Sequence, residues 1–151
     1  MTNRDVVSGF LASYQKHQAE KMIECLHEET TFSDLAFEKI EGKQVEAMWR
    51  WFCEKPVEVP SFEVAQENGN EVRARYRVRY SVEKGVVDYV IAAKFTVERG
   101  KIIRHVDEPT ISDYAFAKMV MGFPARLLAF TPLFKRIIRR TMWKKLEDYQ
   151  N

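Results

Sequence analysis

From Glu71 to Asp107 apolar and polar positions alternate almost without a break. Val72, Ala74, Tyr76, Val78, Tyr80 and Val82 alternate with Arg73, Arg75, Arg77, Arg79 and Ser81. Successive side chains on a strand point to opposite faces, so this run predicts a strand with one apolar, aromatic face and one basic face. Glu83-Lys84-Gly85 predicts a tight turn, and Val86 to Val97 a second strand rich in Val, Ile and aromatics. Glu98-Arg99-Gly100-Lys101 predicts a further turn in which Gly100 can take a positive φ, and Ile102 to Val106 begins a third strand.

Ahead of this meander the period becomes helical. Val6, Val7, Phe10, Leu11 and Tyr14 form a stripe, with Thr2 or Asn3 as cap and Asp5 in the first turn, where a negative charge suits the helix dipole. Lys16-His17-Gln18 predicts a break. A second short helix follows with Ala19, Met22, Ile23 and Leu26 inward, ended by His27-Glu28-Glu29. Thr30, Thr31 and Phe32 predict a short strand leading into Ser33-Asp34 and a loop. Gly42 precedes a third helix, Lys43 to Glu54, carrying Val45, Met48, Trp49 and Phe52. Pro56 and Pro60 end it; Ser61 to Gln66 predicts a strand, and Glu67-Asn68-Gly69-Asn70 a hairpin turn with its Asn-Gly signal.

Helices first and strands after predict an α+β fold: three N-terminal helices on the concave face of a curved antiparallel sheet. Such an arrangement encloses a cone, which holds either a packed core or a pocket. Residues 1–113 form this barrel, and residues 114–151 a helical extension packed on the same domain. In the extension, Ser112 and Asp113 cap a helix through Met121, Gly122-Phe123-Pro124 interrupts it, and an apolar segment runs to Phe130. Thr131-Pro132 starts a last helix with Phe134, Ile137, Ile138, Met142 and Leu146 on one face and Lys135, Arg136, Arg139, Arg140 and Lys144 on the other.

Composition narrows the class. The 151 residues suffice for one domain with a real core, and 46% apolar with 30% charged residues is ordinary for a globular protein. A net charge of +2 gives no argument for nucleic acid, although eight Lys or Arg and no Asp or Glu lie between Tyr114 and Leu146. Cys25 and Cys53 are expected as buried, inert thiols in a reducing cytoplasm. The first residues lack a signal-peptide core and no apolar run is long enough to span a bilayer, so a cytoplasmic location is expected. Three scattered His give no metal-ligand spacing, and no cofactor is implied.

The early helix pair, the segment EETTFSDL, the glycine-started third helix, the meander and GKIIRHVDEPTISD resemble the nuclear transport factor 2-like superfamily. Within it the resemblance is to the SnoaL-like branch, which includes ketosteroid isomerases, polyketide cyclases and limonene epoxide hydrolases. It covers about Asp5 to Asp113; the tail resembles a C-terminal extension of uncharacterised bacterial members. The resemblance implies a conical barrel with a deep apolar pocket, often in a homodimer packed through the outer sheet face. Asp34 falls where ketosteroid isomerases carry a proton-shuttling aspartate, but Phe10 and Ala93 stand where they carry their two oxyanion donors. Those donors are worth several kcal/mol each in a dry site, on the order of 3 kcal/mol, so that mechanism is argued against. Asp107 falls where cyclases and epoxide hydrolases keep a catalytic aspartate, while Ala74 and Tyr76 replace the Arg-x-Asp pair of the latter.

The candidate catalytic residues are therefore Asp107, His105 two positions before it on the same face, and Asp34. A carboxylate beside a histidine can fix the ring's tautomer and raise its basicity, as acid–base catalysis requires; the plain alternative is a structural hydrogen-bond bridge. For Asp34 the alternative is a turn-capping role. Tyr14, Trp49, Tyr76, Tyr80, Tyr89 and Ile91 are expected to line a cavity for a small apolar ligand, cyclic, polyketide-like or terpenoid-like, against the alternative of plain core. The expected reaction is proton transfer next to a carbonyl, or addition of water. The competing reading is a non-catalytic binding or interaction domain. The arginine comb at 73–79 fits an exposed face balanced by Glu63 and Asp88, or a dimer surface; the absence of interleaved aromatics on that face argues against nucleic acid. The last helix admits a use on anionic membrane lipid, but packing over the domain or its dimer mate is favoured.

Overall fold

The computed structural model describes residues 1–82, 85–108 and 132–151, with Val82 and Phe134 described by backbone only. The expected helix from Ser112, the Gly122-Phe123-Pro124 interruption, the apolar segment to Phe130 and most of the Glu83-Lys84-Gly85 turn lie outside the described residues.

The first helix, α1 (Asn3–Gln15), starts on a capping box. The Thr2 hydroxyl accepts from the Asp5 amide at 3.1 Å, and the Asp5 carboxylate accepts from the Thr2 amide at 2.7 Å. Its stripe Val6, Val7, Phe10, Leu11 and Tyr14 is buried throughout. His17, at φ 54°, breaks the chain before α2 (Ala19–Glu24). That helix is shorter than its pattern predicts. Leu26 and His27-Glu28-Glu29 belong instead to β1 (Leu26–Ser33), whose start is held by the Ile102 amide donating to the Cys25 carbonyl at 2.8 Å. Cross-strand pairing outweighs the helical spacing of Leu26.

A two-residue strand β2 (Ile40–Glu41) pairs back on β1 and leads into α3 (Lys43–Glu54). Gly42 adopts φ 54°, and a Cβ there would sit 3.1 Å from the Glu28 carbonyl oxygen, so this position needs glycine both for its conformation and for its space. The strands β3 (Glu58–Asn68), β4 (Glu71–Val82), β5 (Gly85–Glu98) and β6 (Lys101–Glu108) follow. Strand β3 starts three residues earlier than the sequence predicts and passes through Pro60. Pro60 is tolerated because β3 is an edge strand with a register shift between Glu58 and Ser61.

The six strands form one sheet in the order β2-β1-β6-β5-β4-β3, with β1 and β6 parallel and the other neighbours antiparallel. The β5–β6 turn has positive φ at both Arg99 and Gly100, the type I′ geometry of a two-residue hairpin. At the β3–β4 turn Asn68 pairs with Glu71, so the two loop residues are Gly69 and Asn70 rather than Asn68 and Gly69.

The concave face carries Val72, Ala74, Tyr76, Val78, Ala93, Phe95, Ile102 and His105, all buried against α1 and α3. The last helix, α4 (Pro132–Gln150), lies on α3. Leu146 is fully buried in the same core, the Tyr149 hydroxyl donates to Glu54 at 2.6 Å, and Trp143 meets Phe37 edge-on at 6.1 Å. Two residues depart from the predicted faces of this helix. Ile137 is 49% exposed, and Arg139 turns inward to an ion pair with Glu38 at 3.3 Å. The buried row is centred on Leu146, half a turn of the helix from Ile137.

Candidate active site

Asp107 lies near the end of β6 with its carboxylate on the concave face. The register places it opposite Ala93 of β5, and Ala93 opposite Ala74 of β4. Both carboxylate oxygens are engaged. Oδ2 accepts from the Tyr76 hydroxyl at 2.7 Å, and His105 Nε2 lies 2.8 Å from Oδ1. The side chains of His105 and Asp107 are 2% and 12% exposed, so the carboxylate is nearly enclosed but retains an open edge.

The imidazole of His105 sits between two aromatic planes. Phe95 stacks on it at 4.1 Å, Trp49 lies parallel to it at 5.6 Å, and Phe10 and Phe32 meet it edge-on. Its Nδ1 is buried among these rings without a hydrogen-bond partner among the described residues. An unpaired N–H there would be costlier than an unpaired lone pair, so the arrangement fits the tautomer with hydrogen on Nε2, donating to Asp107. Tyr76 and His105 thus both point a donor at one carboxylate. Burial, and next the negative charge of Asp107, push the Tyr76 phenol well above its ordinary range, which keeps it a donor.

Of the predicted lining residues, Tyr14, Trp49 and Tyr76 are buried, whereas Tyr80, Tyr89 and Ile91 are half-buried. Exposure along the concave face of β5 rises from Phe95 to Ile91 and Tyr89 and falls again at Val87, which is buried. Tyr14 packs on Trp49 at 5.2 Å and on Tyr76 at 6.2 Å, and its phenol is pushed up chiefly by burial. Tyr80 and Tyr89 share a hydrogen bond, and burial raises the Tyr80 phenol to about 12. Among the described residues two surface clefts stand out. One of about 680 Å³ is lined by Glu38 and the start of α4, and one of about 180 Å³ by Gln66, Asn68, Glu71 and Arg73; neither reaches Asp107.

Asp34 is not joined to this array by any described hydrogen bond. Its Oδ1 accepts from the amides of Ala36 at 2.8 Å and Phe37 at 2.5 Å, closing the turn that follows β1. The two cysteines are half-buried rather than buried, and burial raises the Cys53 thiol to about 11. Among the described residues no three His, Cys, Asp or Glu side chains group as metal ligands, and no helix is long and apolar enough to cross a membrane.

On the outer face, Asp88 holds both Arg77, at 2.6 Å, and Arg79, at 3.0 Å. Glu63 stands opposite Arg75 in register, and Arg73 pairs with Glu71. The comb is an exposed, largely paired face, as the cross-strand acids imply.

The bond from Tyr76 to Asp107 was not anticipated from the sequence. Part of its signal was available: the register that the resemblance implies puts both on the pocket face, and the intervening strand carries alanine at 93.

A family model described as a SnoaL-like domain matches residues 7–105, well over half of the chain. A solved M. tuberculosis LEH-like epoxide hydrolase is 17% identical, with a TM-score of 0.63 over 84% of this chain and 96% of its own. A putative polyketide cyclase from Pseudomonas putida is 20% identical, with a TM-score of 0.60 over 76% of this chain and 96% of its own. The protein TerC, crystallised with polyporic acid, is 13% identical, with a TM-score of 0.62 over 80% of this chain and 98% of its own. At these identities the likeness concerns the fold. Among curated proteins none matches. The helix-roofed six-stranded sheet and the match over residues 7–105 make this chain a member of the SnoaL-like family, within the nuclear transport factor 2-like superfamily.

Proposed function

We propose that this chain binds a small apolar cyclic compound, of polyketide or terpenoid type, over Tyr80, Tyr89 and Ile91, and that Asp107 exchanges a proton with it. The observation that carries this is the array Tyr76–Asp107–His105. A carboxylate in an aromatic wall is costly to bury unless it is hydrogen-bonded, and here each oxygen meets one donor. Each oxygen keeps a further lone pair, so the group can still accept a proton from a carbon next to a carbonyl, or from a water adding to the ligand. His105 and Tyr76 fix its orientation. Tyr14, packed between Trp49 and Tyr76, would supply a donor to a ligand oxygen. Asp34, already engaged by its turn, would shape the loop beside the site. The cyclase and epoxide-hydrolase neighbours, and the one crystallised with polyporic acid, support this ligand class.

A second reading is favoured by the packing around His105. Trp49, Phe10, Phe32 and Phe95 fill the space against the ring, which suits a domain that binds without turnover. Melting temperature across a panel of apolar cyclic ketones, epoxides and quinones tests both. The acid–base reading expects a compound that raises the melting temperature and is converted, with conversion lost and binding kept in Asp107→Asn. Binding with no conversion of any bound compound selects the second reading. No shift with any compound overturns ligand binding altogether.

The outer face of β4 and β5 exposes Val86 at 57% and Val90 at 43% beside the arginine comb, and there we place pairing with a second copy. Light scattering on the wild type and on Val90→Lys tests it: a dimer that the substitution dissociates is expected, and a monomeric wild type refutes it.

A further inference from the structure

The outward side of α4 carries a second surface, unconnected with Asp107. Leu133 is 56% exposed and Ile137 49%, one helical turn apart and facing away from the core. Arg136, Arg140 and Lys144 are exposed on the same side. From Pro132 to Leu146 the helix has six Lys or Arg and no Asp or Glu. Of these six cations only Arg139 has an ion-pair partner among the described residues, Glu38. The inward side, by contrast, is fully used by Met142, Trp143, Leu146 and Tyr149 against α3 and Phe37. The helix therefore has one apolar side that anchors it and a second, small apolar strip set in a field of positive charge.

We propose that the first four turns of α4 lie on an anionic bilayer surface, with Leu133 and Ile137 entering the headgroup boundary and Arg136, Arg140 and Lys144 meeting lipid phosphates and carboxylates. Charge complementarity selects this occupant. A second copy of the same face would set these cations against themselves. A nucleic acid would match the charge but make no use of two exposed aliphatic side chains, and the described outward side offers no ring for bases to stack on. An interfacial helix uses both features at once, burying aliphatic side chains a few ångströms deep while its basic flank holds anionic headgroups. A cleft of about 680 Å³ at the start of α4 is lined by Pro132, Leu133, Arg136, Arg139 and Arg140, with Glu38 at its wall.

The test is flotation of the full chain with vesicles of phosphatidylcholine alone, and of phosphatidylcholine mixed with phosphatidylserine. Binding is expected only to the mixed vesicles, weakening as salt is raised. Arg136→Gln with Arg140→Gln should weaken it about thirty-fold, since each cation near such a surface contributes roughly a factor of five. Leu133→Ser with Ile137→Ser should weaken it at least about tenfold. Far-ultraviolet circular dichroism and melting should be unchanged in both, because all four side chains are exposed. Three results overturn the proposal: no binding to mixed vesicles, equal binding to neutral vesicles, or binding indifferent to the Leu133 and Ile137 changes. In the last case heparin competing equally for the wild type and the serine variant would identify a general polyanion surface instead.

Discussion

The hydroxyl of Tyr76 reaches across β5 to donate to Asp107 Oδ2 at 2.7 Å, although the two residues stand on strands that do not touch. Neighbouring strands are about 4.8 Å apart, so the span is close to two strand spacings. A tyrosine leaning over the sheet can cover it only if the strand between presents something small. Ala93 provides that gap: it is the residue opposite Asp107 and is 3% exposed.

Tyr76→Phe removes a hydrogen bond to a charged acceptor while keeping the ring. It should destabilise the fold by about 1.5–3 kcal/mol, read from urea unfolding. Ala93→Leu should cost a similar 1–3 kcal/mol, roughly, by overpacking the same gap. Because the two changes break one contact, their combination should cost clearly less than the sum.

Leu146→Ala tests whether α4 is part of the core. A fully buried leucine replaced by alanine costs about 2–5 kcal/mol, and the loss should appear in one cooperative transition with the rest of the chain. Two separate transitions would mean that α4 melts on its own.

Gly42→Ala places a Cβ 3.1 Å from the Glu28 carbonyl oxygen at φ 54°. The expected loss is on the order of 1–3 kcal/mol by thermal or urea unfolding. Gly69→Ala shares the positive φ but meets nothing within 4 Å, so it should cost less.

Stability should fall at alkaline pH. The Tyr14 and Tyr76 phenols are raised in the folded state, mainly by burial. Their contribution is complete below the unfolded phenol value of about 10 and declines above it, as the unfolded chain ionises and the folded chain does not. Urea midpoints measured from neutral to strongly alkaline pH should drop, and less steeply in Tyr76→Phe. At the acid end the sign reverses. Hydrogen bonds from Arg77 and Arg79, with their charges, hold Asp88 below its usual range, so its contribution is present above about pH 4 and lost as pH falls.

Period and turn chemistry decide local structure before any tertiary contact forms. The alternation from Val72 to Val82 and the stripe from Val6 to Tyr14 were therefore legible residue by residue, as was the positive φ of Gly100, while the cap was narrowed to Thr2 or Asn3. Where two periods fit, the sequence misled. Leu26 fits the spacing of α2, but the parallel pairing with β6 claims it for β1, and Pro60 reads as a terminator although an edge strand accommodates it. Faces of the last helix were half legible, since an apolar arc wide enough to hold Ile137 does not say which part of it the core will use.

The sequence by itself determined that His105 and Asp107 share one face of one strand, because side-chain parity along a strand is a local property; Tyr76 joins that face only through the register that the family resemblance implies. It could not say that two donors converge on the carboxylate, that Trp49 and Phe95 close over the imidazole, or that Asp34 is engaged in its own turn. Those outcomes depend on which strands become neighbours, in what register, and on where an alanine leaves space, and only the folded chain fixes distances between residues 31 positions apart.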